Sequence, residues 1–149
     1  MTNPIAKVLQ STMASSPTSS DLGLLFLRIA STSLLFWLHG WPKVANFQAE
    51  ITRIEDPFGM GGLTTLTLAI FAQVFCSALI LFGVATRLST LPILFLLAVA
   101  TWVVHPQWTH GEAQFSYLFM VAFATLLITG AGRFSFDASF SAALQDGFK

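Results

Sequence analysis

Charge is what this sequence has least of. Of its 149 residues, 9% are Asp, Glu, Lys or Arg, whereas a soluble globular domain carries about 25%. Too few ionic groups remain to wet a globular surface, which excludes an ordinary water-soluble domain and makes lipid the expected solvent. Seven Lys and Arg balance seven Asp and Glu, so the formal net charge is zero. A basic footprint for a nucleic-acid backbone is therefore missing, and no nucleic-acid partner is expected. The single cysteine, Cys76, excludes an internal disulfide and a thiolate metal cage. Inside an apolar run it reads as a small packing residue. Also missing are a nucleophile elbow, a P-loop, a dinucleotide-binding glycine pattern and a CxxC pair, so independent covalent catalysis is not expected.

What is present is apolar: 54% hydrophobic residues and a mean hydropathy of +0.72. A helix crossing the hydrocarbon layer needs roughly 17 to 25 mostly apolar residues. Four stretches qualify, about 22–38 (interrupted only by Arg28), 63–84, 88–104 and 113–130. The expected fold is all-α, an integral membrane four-helix bundle over 21–137. It is flanked by a serine-rich, disordered cytoplasmic tail, 1–20, and a C-terminal cytoplasmic tail, 138–149. Without a signal-peptide pattern the first helix is expected to stay as an anchor. Asp21 is placed as its N-cap, and Pro92 near the start of the third helix, where a missing N–H is tolerated. Between the first two spans Phe47, Ile51, Ile54 and Phe58 recur at helical spacing beside Glu50, Arg53, Glu55 and Asp56. That is a short interfacial amphipathic helix, ended by Pro57 and Gly59, Gly61 and Gly62. A tight turn at Ala85, Thr86 and Arg87 makes the second and third helices antiparallel neighbours. Lys7, Arg87, Arg133 and Lys149 fall on one side, Lys43 and Arg53 on the other. This excess places both termini in the cytoplasm.

At 100° per residue the scattered polar groups form stripes. Arg28, Ser31, Leu35 and His39 share one face, as do Arg87, Leu94, Thr101 and His105. Ala69, Ala72, Cys76 and Gly83 form a small-residue seam with Gln73 at its edge. A carboxamide facing lipid would strand its donors and acceptors, so Gln73 should point into the bundle, toward another helix or a ligand. Arg28 lies about 9 Å inside its span and either snorkels and bonds main-chain carbonyls or faces a ligand. On the outer side His39 and Lys43 close the first helix, His105 closes the third, and His110 and Glu112 open the fourth. Imidazoles, a carboxyl group that burial could tune upward and a fixed cation suit a quinone headgroup, which needs hydrogen bonds and a proton path. The same residues suit capping and interface anchoring, with Trp41, Trp102 and Trp108 in the aromatic belt. The spacing of His105, His110 and Glu112 fits no metal fingerprint, and neither a tightly bound metal nor a haem is expected.

Three segments, LRIASTSLLFWLHGWPKV, FAQVFCSALILFGVATRLSTLPILFLLAVATWVVH and LLITGAGRFSFD, carry a family likeness. Within them stand His39, Gly40 and Lys43; Gly83, Thr86 and Arg87; and Thr129, Gly130, Gly132, Ser135 and Asp137. Over 22–137 the chain resembles the DoxX family of small bacterial membrane proteins. The resemblance implies a four-helix protein of the cytoplasmic membrane. Relatives include a subunit of an archaeal thiosulfate:quinone oxidoreductase, and others are associated with redox or thiol-stress assemblies. Two positions depart from the family pattern: Gln73 stands where an acidic residue is usual, and Ala131 where a proline is usual. Gln cannot exchange a proton, so a proton-coupled role at that position does not carry over.

The first functional expectation is therefore a membrane subunit of a quinone-linked redox system with its site among Arg28, His39, Lys43, Gln73, His105, His110 and Glu112. The alternative is a non-catalytic accessory or scaffold that docks a partner subunit or a second copy of itself. A small-solute permease ranks third, since four helices leave little room for a lined pathway.

Overall fold

The computed structural model describes residues 16–147; residues 1–15 of the tail expected over 1–20, and 148–149 of the tail expected over 138–149, lie outside them. Among the described residues every regular element is helical. In chain order these are α1 (Pro17–Ala45), α2 (Phe47–Arg53), α3 (Gly62–Phe82), α4 (Thr86–Val104), α5 (Gln114–Thr129) and α6 (Phe136–Gly147). Helices α1, α3, α4 and α5 form the membrane bundle. Three are long and apolar enough to cross a bilayer. The fourth, α5, has 16 residues and runs about 24 Å, short of a hydrocarbon layer of about 30 Å.

Helix α1 begins earlier than its hydropathy suggests. Ser16 is the N-cap, its Oγ accepting from Ser19 N at 3.1 Å, and Pro17 takes the first turn, where its missing N–H is no loss. Residues 17–20, expected in the tail, are thus helical. Asp21 does not cap α1; its carboxylate accepts from Arg133 N at 3.0 Å. At its far end α1 runs through His39 and Lys43 to Ala45 because the turn at Phe36–Gly40 widens to a π-helix, and Pro42 then sits in the first turn of the next segment.

Helices α3 and α4 carry the same device, at Phe71–Cys76 and Ala100–Val104. Each π turn shifts the side-chain phase by about one residue. The buried stripe of α1 therefore passes from Arg28, Ser31 and Leu35 to Gly40, not to His39. Pro92 lies inside α4, well past its first turn, so the carbonyl of Leu88 loses its helical donor.

Helix α3 ends in a Schellman motif: Gly83 is left-handed at φ +71, with Gly83 N bonded to Ile80 O and Val84 N to Leu79 O, both at 2.9 Å. Helix α2 is shorter than expected. It stops at Arg53 because Ile54 is extended and Asp56 organises the next loop. That side chain accepts from Gly61 N (2.6 Å), Met60 N (3.1 Å) and Thr65 Oγ1 (2.9 Å). The expected C-terminal tail contains α6, a feature that hydropathy does not reveal. The bundle core is Leu35, Ala72, Cys76, Ile80, Ile93, Leu97, Phe123 and Leu126, with α4 and α5 the most extensive pairing. Cys76 is a free, buried packing residue.

Candidate functional site

The three π turns meet around one cavity. Helices α1 and α3 close to backbone contact at Gly40, where a Cβ would lie 2.9 Å from Val74 Cγ2 and 3.0 Å from Gln73 O. Toward the α2 end of the bundle the helices separate and enclose a space of about 610 Å³, within the range of small-molecule sites. Its walls come from α1, α3, α4 and α5, and the 54–60 loop covers it, with Phe58 stacked on Phe95 at 6.5 Å between ring centroids. Five of the seven sequence candidates line it: His39, Lys43, Gln73, His105 and Glu112.

Gln73 is the most informative of them. It is 7% exposed, and its Oε1 has no hydrogen-bond partner. A buried carbonyl left this way costs free energy unless a ligand or water completes it. Lys43 donates from Nζ to the carbonyl of His39 at 2.9 Å, bringing the cation to the cavity wall, and the His39 ring meets Phe119 edge-on at 6.1 Å. His105 stacks on Trp108 at 4.0 Å, nearly parallel, with Nε2 3.4 Å from Glu55 Oε2. That contact is an ion pair only when the imidazole is protonated.

Glu112 does not meet the expectation of a carboxyl tuned upward. Its carboxylate accepts from Thr109 N at 2.7 Å and Thr109 Oγ1 at 2.9 Å. The Thr109 backbone bond first, and then the hydroxyl, hold it below the usual Glu range. It is a fixed anion at neutral pH, not a proton carrier. Sequence reasoning missed Glu55, Trp108 and Ser116 as lining residues. Glu55 was assigned to the polar face of an interfacial helix, and nothing in the sequence shows that this segment folds back over the bundle.

Arg28 and His110 lie elsewhere. His110 is exposed beside Tyr117, 6.2 Å away, and is not part of the cavity wall. Arg28 is buried at the opposite end of the bundle, donating from Nη1 to Ala131 O at 2.7 Å and from Nη2 to Phe134 O at 2.6 Å. Around it the conspicuous sequence motifs form one knot. Asp137 accepts from Ala85 N (2.7 Å) and Thr86 N (2.9 Å), while its own N–H bonds Gly83 O at 2.8 Å. Arg87 donates to Ile128 O at 3.1 Å, and Ser135 Oγ donates to Gly132 O at 2.6 Å. A Cβ on Gly83 would sit 2.7 Å from Arg28 Nη1. These residues tie α1, α3, α4, α5 and α6 together and leave the cavity to others.

Comparison with known proteins agrees with the bundle. The DoxX family model matches residues 23–106, from the first turns of α1 to the end of α4, and so includes His39, Lys43, Gln73 and His105. The closing motif from Thr129 to Asp137 lies beyond the matched segment. No curated protein and no solved structure matches the chain. Since the match spans more than half of the sequence and covers three of the four bundle helices, the chain belongs to the DoxX family.

Proposed function

We propose that the chain is a quinone-binding subunit of a membrane redox system, seated in the bacterial cytoplasmic membrane with both termini inside. The observation that carries this is the unpaired Gln73 Oε1 in the wall of a largely apolar cavity that also bears His39, Lys43 and His105. A quinone ring has the matching chemistry: its carbonyls accept from the Gln73 amide N–H, and the hydroxyls of its reduced form donate to Oε1. When bound, a quinone supplies an electron-and-proton carrier. The chain's own residues bind, orient and shuttle. Gln73 selects a ring with polar substituents, and the Lys43 ammonium favours negative charge near the cavity. His39 and His105 are the side chains able to take up and release a proton between ring and water. The anions Glu55 and Glu112 lie along the same wall. With no flavin, haem or iron–sulfur motif in the sequence, the electron donor is assigned to a partner subunit.

Trp108 in the cavity wall provides the readout. A variant keeping it as sole tryptophan (Trp37→Phe, Trp41→Phe, Trp102→Phe) is titrated in lipid nanodiscs with a tailless benzoquinone. Saturable quenching is expected, weakened about tenfold by Gln73→Leu through loss of the amide N–H bond to a ring carbonyl, worth about 1.4 kcal/mol. Gln73→Leu removes an unpaired buried amide, so thermal stability should hold or rise. Quenching that stays linear in quinone and is unchanged by the substitution would overturn the proposal.

A further inference from the structure

A second opening lies between α3 and α4. It is a lipid-facing apolar groove of about 600 Å³ that follows α4 from Phe95 to Leu88, about 10 Å of helix axis, and reaches Ala85 in the turn before it. Small buried side chains make its floor, Cys76 and Ser89. Exposed large ones, among them Phe75 and Leu88, make its rim. No charged side chain lines it. Phe71, Pro92 and Phe95 belong to the walls of both the groove and the cavity that holds Gln73. The groove therefore adjoins the cavity and continues from it toward the opposite end of the bundle.

We infer that this groove carries the polyisoprenoid tail of the amphiphile whose ring enters the cavity, an inference that rests on the function proposed above. A ring bonded to Gln73 must lead its tail out of the cavity by one of two routes. The mouth is lined by Lys43, Glu55, His105 and Glu112, and a tail passing there meets headgroups and water, at a cost that grows with every methylene exposed. The wall shared by Phe71, Pro92 and Phe95 leads instead into apolar surroundings. The small-floored, large-rimmed section suits a flexible chain that needs dispersion contacts and no hydrogen bonds. Bilayer interior is as apolar as the groove, so the groove adds little affinity. It sets direction, holding the ring in one orientation against Gln73, and it names the substrate class as a long-tailed membrane quinone.

The test is positional. The full chain in nanodiscs is irradiated with a polyprenyl quinone bearing a diazirine near the end of its tail, and adducts are mapped by peptide mass spectrometry. Adducts on Phe75, Leu79 and Leu88 are expected, with their loss in Ser89→Phe, which fills the floor. Should that buried substitution prevent assembly, Phe75→Trp narrows the groove from its exposed rim and is expected to weaken the adducts on Leu79 and Leu88. Adducts spread over lipid-facing residues elsewhere, such as Phe26, Val121 and Ile128, overturn the tail groove. So does equal competition by a phospholipid, which assigns the groove to ordinary lipid. In both cases a saturable Trp108 response to tailless benzoquinone leaves the ring site standing. Loss of that response together with the adducts removes both.

Discussion

At Arg28 the cost of burying a guanidinium is offset in part by two bonds from its fork, while Nε has no partner. The side chain is 2% exposed, and its planar fork reaches two carbonyls in the turn after α5, Ala131 O and Phe134 O. A charge-assisted bond of this kind contributes about 1.5 to 3 kcal/mol, and each buried carbonyl left alone costs a further 1 kcal/mol or so. Arg28→Ala is therefore expected to lower stability by about 3 to 5 kcal/mol, read as a fall in unfolding temperature in detergent. Arg28→Lys keeps the charge but presents one ammonium where two nitrogens are needed, and should lose about half as much. Because Arg28 lies at the opposite end of the bundle from the cavity, whichever variant folds should retain quinone quenching of Trp108. The sequence left this residue open between snorkelling or bonding main-chain carbonyls and facing a ligand. The bonds to main-chain carbonyls follow from where the 130–135 turn comes to rest, a tertiary fact with no local signature.

Among the elements, the π turns decide where the site is. Each inserts extra backbone into a helix, and the facing pair in α1 and α3 meet at Gly40 with no space for a Cβ. Gly40→Ala must push against Gln73 O and is expected to cost about 1 to 3 kcal/mol and to weaken quinone binding by moving Gln73, both measurable on one nanodisc sample. The loop covering the cavity depends on Asp56. Its carboxylate accepts chiefly from Gly61 N and is held below the ordinary Asp range. A depressed folded-state pKa means that its contribution is complete above the unfolded Asp value and is lost as pH falls through the lower folded one. The amide resonance of Gly61 should accordingly shift with a midpoint below about 3.9, and Asp56→Ala should open 54–61 to protease at neutral pH. The spans were legible to within a few residues at most ends, because hydropathy and span length are additive properties of composition. The π turns were not, since i→i+5 bonding changes no residue type. They surface only as the phase slip from Leu35 to Gly40 that displaced His39 from its expected stripe. The cavity was half legible for the same reason. Polar residues at helix ends could be grouped by depth, but the fold-back that adds Glu55 and the hydrogen bonds that fix Glu112 as an anion depend on loop geometry.

Over the whole molecule, burial is sparse: 22%, 39% and 28% of the apolar windows of α1, α3 and α4 lie inside the protein. The remainder is apolar surface that suits contact with lipid. Helix α6 extends this logic to one end of the bundle. Phe136, Phe140 and Leu144 recur every four residues and are all exposed, while Asp137 on its other side is bonded to the start of α4. That is the pattern of a helix lying along the membrane surface with its polar side anchored to the bundle. The same end bears Arg87 and Arg133, whereas Lys43 and Arg53 belong to the cavity end. The proposed orientation, argued from the positive-inside rule, puts α6 on the cytoplasmic face and the cavity mouth on the other. Single cysteines make this measurable, because native Cys76 is buried and contributes little background. A membrane-impermeant maleimide is expected to label Gly111→Cys in intact cells and Ser141→Cys only after permeabilisation. The reverse pattern would place His39 and His105 on the cytoplasmic side, and the proposed quinone chemistry would then release its protons inward, not outward.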